Sequence, residues 1–255
     1  MFSKPYIITI CSGKGGVGKS FLSANLAAIT AQLGCTTLLI DGNRHFPNQH
    51  LIIGVEPPVR LSDAIAGKVK PSSALHQIDE RFYLLAEMPS SIEESNFSTK
   101  LVFDVFKDLI IETNFDIIII DTVPGASEES LFYCDLADLA LVVINDEPIS
   151  ILDAYALIKI LMFFKANSEI AMIVNNVIDA DDANEVGTKL NLAIERFLDS
   201  KIEKIGYVTY DRLVRRSIIR QELFVINQPD SEVSGQIRKI AHFFADKVFE
   251  KEIVK

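Results

Sequence analysis

Apolar residues in this chain fall into short continuous runs, separated by longer stretches of mixed polarity. The runs occupy residues 6–10, 36–40, 82–86, 117–120, 139–144, 170–174 and 205–208. Unbroken apolarity over so few residues predicts strands covered on both faces. The helix-like segments between them, such as 21–33, give the rhythm of a mostly parallel sheet. The pattern predicts an α/β fold, doubly wound, with about seven or eight strands and a ligand at their carboxyl ends. It reads as a single domain over residues 1–255, with no internal repeat and no low-complexity linker.

Local signals refine this outline. Ser150 and Asp153 have capping-box spacing and predict a helix start there. Glu128 and Glu129 suit the first turn of another helix, where carboxylates meet the positive end of its dipole. The acidic segment 179–185 reads as a solvated loop, since no spaced ligand pattern accompanies it. Ile237, Ile240, Phe244 and Val248 recur at helical spacing and predict a core helix with a short charged overhang carrying Lys251, Glu252 and Lys255.

Composition narrows the function classes. The chain has 255 residues, 49% hydrophobic and 24% charged, with a formal net charge of -10. That is ample material for a large core, and the acidic balance disfavours reliance on nonspecific attraction to nucleic acid or an anionic bilayer. The local cluster Arg212, Arg215, Arg216 and Arg220 runs against it. On a helix, 212, 216 and 220 share one face, which reads as a solvated surface, a docking face for an acidic partner or a DNA patch. Cys11, Cys35 and Cys134 form no C-x-x-C pair, which fits reduced core thiols in a cytoplasmic protein. No secretory signal stands at the N-terminus, and no apolar stretch is long enough to span a membrane.

The candidate chemistry begins directly after the first apolar run. Residues 12–20 read Ser-Gly-Lys-Gly-Gly-Val-Gly-Lys-Ser, and Gly13, Gly18, Lys19 and Ser20 satisfy G-x-x-x-x-G-K-[ST] between a strand and a helix. Glycines let successive N–H groups converge on a phosphate, and the helix N-terminus adds its own unsatisfied donors. Lys19 is expected to reach the β- and γ-phosphates, and the Ser20 hydroxyl to ligate Mg²⁺. Two further carboxylates stand at strand ends. Asp41 follows the run 36–40, and Asp121 follows four isoleucines and precedes Thr122, Val123, Pro124 and Gly125. Both are placed to hold Mg²⁺ or its water at the phosphate site. His45 and His50 flank the Asp41 loop, and no chemistry is assigned to them.

Lys14 takes the phosphate loop beyond the general pattern, to a string that resembles the deviant loop of the MinD/ParA family of dimerising ATPases. The resemblance implies that Lys14 reaches a partner subunit's nucleotide, coupling ATP binding to formation of a homodimer. It implies ATP or ADP with Mg²⁺ as ligands, nucleotide contacts from Gly13, Lys14, Gly15, Gly16, Val17, Gly18, Lys19, Ser20 and Phe21, and an adenine contact from Asn175. Asp41 and Asn48 match the family's second motif, whereas Asn43 stands where the family has the aspartate that positions the attacking water. Asparagine can orient water but cannot take its proton, so Lys14, Lys19 and Asn43 are the candidate catalytic residues and hydrolysis is expected to be slow or absent. Asn43 and Asn175 also read as plain turn formers.

The string 147–159, Glu-Pro-Ile-Ser-Ile-Leu-Asp-Ala-Tyr-Ala-Leu-Ile-Lys, is similar to the flagellar branch of that family, known as FlhG, FleN or YlxH. The similarity continues through 173–177, 195–198, 206–211 and 214–217, although Thr209 stands where the family commonly has proline. It implies a switch that sets flagellar number or position through a protein partner such as a flagellar GTPase or switch component. The amphipathic membrane tail of some members is not expected, because the C-terminal charges are mixed, which leaves a cytoplasmic protein with at most peripheral membrane contact. Starting at Met1, so near the phosphate loop, the chain is also expected to lack that branch's N-terminal activating helix. A hydrolysis-deficient scaffold and a partition ATPase are the alternatives.

Overall fold

The continuous apolar runs become strands of one sheet, buried except for the half-exposed edge run 205–208, and that sheet brings the strand-end residues together. A computed structural model describes residues 4–87, 99–112, 114–164 and 166–253. Its elements, in chain order, are β1 (Tyr6–Cys11), α1 (Lys19–Gln32), β2 (Thr37–Asp41), α2 (Gln49–Ile53), α3 (Leu61–Ile65), β3 (Leu75–Asp79), β4 (Phe82–Leu85), α4 (Thr99–Glu112) and β5 (Ile117–Asp121). They continue with α5 (Glu128–Leu136), β6 (Leu139–Ile144), α6 (Pro148–Phe163), β7 (Glu169–Val177), α7 (Ala180–Leu198), β8 (Glu203–Thr209), α8 (Arg212–Arg220), α9 (Phe224–Asn227) and α10 (Glu232–Ile253).

The eight strands are ordered β3-β4-β2-β5-β1-β6-β7-β8. All pairings are parallel except β3 with β4. The chain winds from β1 outward to β2 on one side and crosses from β5 to β6 on the other, so the direction of winding reverses at β1. This is where an open α/β sheet forms a crevice for ligand. Asp41 pairs with Asp121 in the β2/β5 register, and Asp121 pairs with Ile10 of β1. The two carboxylates and the phosphate loop therefore sit together at the carboxyl ends of the central strands.

Alternate residues of each strand enter different cores, as a two-layered covering requires. Ile8, Ile10, Leu39, Ile117, Ile119 and Leu141 pack with α1 and α10 on one face. Ile7, Leu38, Ile40, Ile118 and Ile120 pack with α3, α4 and α5 on the other, where Val142, Ile144, Met172 and Val174 meet α6 and α7. Ile237, Ile240, Phe244 and Val248 are buried, as their spacing predicts. Ile240 lies so close to Gly206 of β8 that any side chain there would overlap it. The three cysteines are buried and free. Of the expected charged overhang, the side chains of Lys251 and Glu252 and all of Lys255 lie outside the described residues.

Two local expectations are corrected. First, α6 starts at Pro148 rather than at Ser150, with Glu147 as its N-cap. Proline at the first helical position has its φ already set for the helix, and the Ser150 hydroxyl instead accepts the Asn145 N–H at 3.2 Å. Second, segment 179–185 is not a loop, because Asp179 caps α7 by accepting the N–H groups of Asp181 and Asp182, each at 2.9 Å. Its acidic residues are thus favourable first-turn charges. The antiparallel edge strand β3 completes the eight strands, within the expected number.

Candidate functional site

The phosphate loop runs from Ser12 to Ser20 and opens α1, as its pattern requires. Gly16 and Gly18 have φ of 79° and 95°, a region that side chains rarely tolerate. A Cβ at Gly13 would overlap the Asp153 backbone on α6, and one at Gly18 would overlap the Asn175 amide. The loop's glycines are therefore needed both for its turn and for its close neighbours. Lys19 is buried, 7% exposed, and its ammonium donates to the Ser12 hydroxyl at 2.8 Å. That hydroxyl in turn donates to the Lys14 carbonyl at 2.7 Å. Burial lowers the Lys19 pKa while Asp121 partly restores it, so an anion arriving on the loop would meet a cation that lacks full compensation.

Asp121 is buried and accepts hydrogen bonds from Ser20, from Gln49 Nε2 at 2.8 Å and from Ser23 Oγ at 3.4 Å. Burial still raises its pKa. Asp41 is equally buried and accepts three backbone N–H groups of its own loop, from Asn43 at 3.2 Å, Asn48 at 2.9 Å and Gln49 at 3.0 Å. Burial, with Asp121 adding to it, pushes Asp41 up to about 7 despite these three donors. A folded-state pKa above the free value favours folding at low pH, and that contribution is lost as pH rises from about 4 through about 7. Nearby positive charge would offset the loss.

These groups form a hard-oxygen set suited to Mg²⁺. Among the described residues no cluster of three or more His, Cys, Asp or Glu could hold a metal by itself. Mg²⁺, however, is commonly held by one or two carboxylates together with phosphate oxygens and water. The buried carbonyl oxygens Gln49 Oε1 and Asn48 Oδ1 have no hydrogen-bond partner, so the surroundings of the two carboxylates hold acceptors awaiting donors. The residues fit the ion.

The structure brings together most of the residues singled out in the sequence. Lys14 is paired with Glu147 of its own chain. Asn43 Oδ1 accepts the Phe46 N–H at 3.2 Å, which folds the loop after β2. Asn175 Nδ2 donates to the Val17 carbonyl at 2.7 Å. This bond sets one wall of a cleft of about 420 Å³ lined by Phe21, Asn175, Thr209, Tyr210 and Arg215, within the range of small-ligand sites. Gly125 N donates to the Ser12 carbonyl at 2.8 Å, joining the loop after β5 to the phosphate loop. His45 is exposed, whereas His50 is buried with Nδ1 unpartnered and its pKa lowered by that burial. Arg212, Arg215, Arg216 and Arg220 are all exposed on α8.

Two features escaped the sequence reading. Gln49 links both carboxylates, and Arg44 forms a buried bidentate pair with Glu129 of α5 (Nε to Oε1 2.9 Å, the second guanidinium bond 3.1 Å). The Tyr133 hydroxyl also donates to Glu129 Oε1, at 2.8 Å. The loop after β2 is thereby fastened to the helix after β5.

A family model described as the NUBPL iron-transfer P-loop NTPase of the ParA group matches residues 4–245. The antiactivator FleN of Pseudomonas aeruginosa is 29% identical over 238 residues, covering 92% of this chain and 84% of FleN. The flagellum site-determining protein YlxH of Helicobacter pylori is 26% identical, covering 94% of this chain and 82% of YlxH. Among solved structures, the septum site-determining protein MinD of Pyrococcus horikoshii, complexed with Mg-ADP, superposes with a TM-score of 0.80 at 24% identity. That match covers 94% of this chain and 95% of MinD.

Proposed function

Because the chain belongs to the MinD/ParA family of P-loop NTPases, we propose that it is an ATP-dependent dimerising switch, one domain in extent, that regulates a flagellum or similar structure by binding a protein partner. The buried Lys19 ammonium at the mouth of a glycine loop, beside two desolvated carboxylates, carries this reading. The names of FleN and YlxH support the flagellar output, and the Mg-ADP complex of MinD supports the ligand. Among the described residues no helix is long and apolar enough to cross a membrane. The partner would meet the protein in the cytoplasm or at a membrane surface.

In this reading the loop amides and Lys19 hold the β- and γ-phosphates, where a desolvated cation stabilises charge developing on the transferred group. Ser20, Asp41 and Asp121 would hold Mg²⁺, which supplies neutralisation of the phosphate oxygens. Asn175 and the cleft beyond Phe21 receive adenine. Lys14 must leave Glu147 to reach a partner's triphosphate, so the intrachain ion pair competes with the dimer. A triphosphate shifts the population only to the extent that it binds the dimer-competent state more tightly than the other.

Asn43 sets the rate. Its side-chain oxygen already serves the turn through Phe46 N–H, a bond that an aspartate oxygen can make equally well. Asn43→Asp therefore keeps the loop while restoring a proton acceptor. Turnover measured as phosphate release is expected to rise at least about tenfold. No gain would show that water is held otherwise. If neither protein turns ATP over while both bind it, the scaffold reading replaces the ATPase.

A further inference from the structure

Gln49 occupies a singular position between the two carboxylates. It is the first residue of α2 and is fully buried. Its backbone N–H donates to Asp41 Oδ2 at 3.0 Å, and its side-chain Nε2 donates to Asp121 Oδ2 at 2.8 Å and to the Ser20 carbonyl at 3.2 Å. The other end of the same planar amide, Oε1, has no partner. A buried amide oxygen without a donor is costly, and the cost falls if a donor or a cation's water arrives.

We propose that Gln49 is the positioning residue through which the loop after β2 registers occupancy of the divalent-cation site. Its N–H₂ bridges Asp121 to the Ser20 carbonyl and holds α2 in place. With the cation, an N–H donor aimed at Asp121 is disfavoured by like charge. Rotation of the amide then presents Oε1 to the cation's water shell, which supplies the donor it lacks. The α2 helix carries the change outward, because its capping Gly54 lies against the Gln221 carbonyl at the end of α8, and α8 lines the cleft next to Phe21. One amide thus links the cation site to the wall of the base cleft.

This inference rests on the reading of Ser20, Asp41 and Asp121 as the Mg²⁺ site, and its test separates the two. N-methylanthraniloyl-ADP binding is measured by fluorescence in chelator and across a Mg²⁺ titration, for the wild type, Gln49→Met and Gln49→Glu. The methionine keeps the volume and loses both polar ends, so the Mg²⁺ needed for half-saturation is expected to rise about tenfold. The glutamate keeps only acceptors, so the Mg²⁺ requirement is expected to fall below that of the wild type. Affinity in chelator is expected to stay within about twofold for the methionine. Equal loss of affinity with and without Mg²⁺ in both variants would assign Gln49 a merely structural role and overturn the inference. So would Mg²⁺ requirements that match the wild type. If the methionine variant melts before it can be titrated, the direction of the glutamate shift decides. A wild type that binds the analogue with no dependence on Mg²⁺ would instead remove the underlying metal reading.

Discussion

Lys19→Met is expected to weaken binding of Mg-ADP by at least about 100-fold, as measured by calorimetry. An ammonium held between phosphate oxygens makes charge-assisted bonds of about 1.5–3 kcal/mol each, and two such bonds correspond to roughly 100-fold or more. The effect should be one of binding rather than folding. Burial already disfavours the Lys19 charge, and Ser12, which accepts its hydrogen bond, keeps the bond its own hydroxyl donates to the Lys14 carbonyl. The melting temperature without nucleotide should therefore stay near that of the wild type. A variant that binds as well as the wild type would remove the phosphate loop from the account.

Glu129→Ala carries the second large effect, and here the loss is in stability. Arg44 and Glu129 are 7% and 17% exposed and joined by two bonds. Removing one member of a buried pair breaks both charge-assisted bonds in a desolvated setting, a loss of about 3–5 kcal/mol. Tyr133 also loses the acceptor for its hydroxyl. Urea denaturation reads the change as a lower midpoint at unchanged slope. Replacing both charges, as Arg44→Met with Glu129→Leu, is expected to recover most of the loss, because an apolar pair of similar volume avoids the desolvation penalty. If Glu129→Ala costs less than about 1 kcal/mol, the pair is an ordinary surface contact and does not fasten the two loops.

The strands that flank the site were legible because they are buried on both faces and so read as unbroken apolar runs. The edge strand β3 was hidden by the opposite circumstance, since Leu75, His76 and Ile78 are half-buried, Gln77 and Asp79 are exposed, and the segment is mostly unlike a core strand. The phosphate loop, Asp41 and Asp121 were visible because their chemistry is local to a strand end. Gln49 and Arg44 were not, because their partners Asp121 and Glu129 lie 72 and 85 residues away, and a lone Gln or Arg carries no mark of a distant carboxylate. The start of α6 was misplaced because Ser150 has capping chemistry that the chain uses on Asn145 instead.

Sedimentation velocity of the wild-type protein with Mg²⁺ and either ADP or a nonhydrolysable ATP analogue tests the dimerising switch most directly. The account predicts a monomer with ADP and a dimer with the triphosphate analogue, the dimer being lost in Lys14→Ala. A monomer in both nucleotides, or a dimer that forms equally well in either, would contradict it.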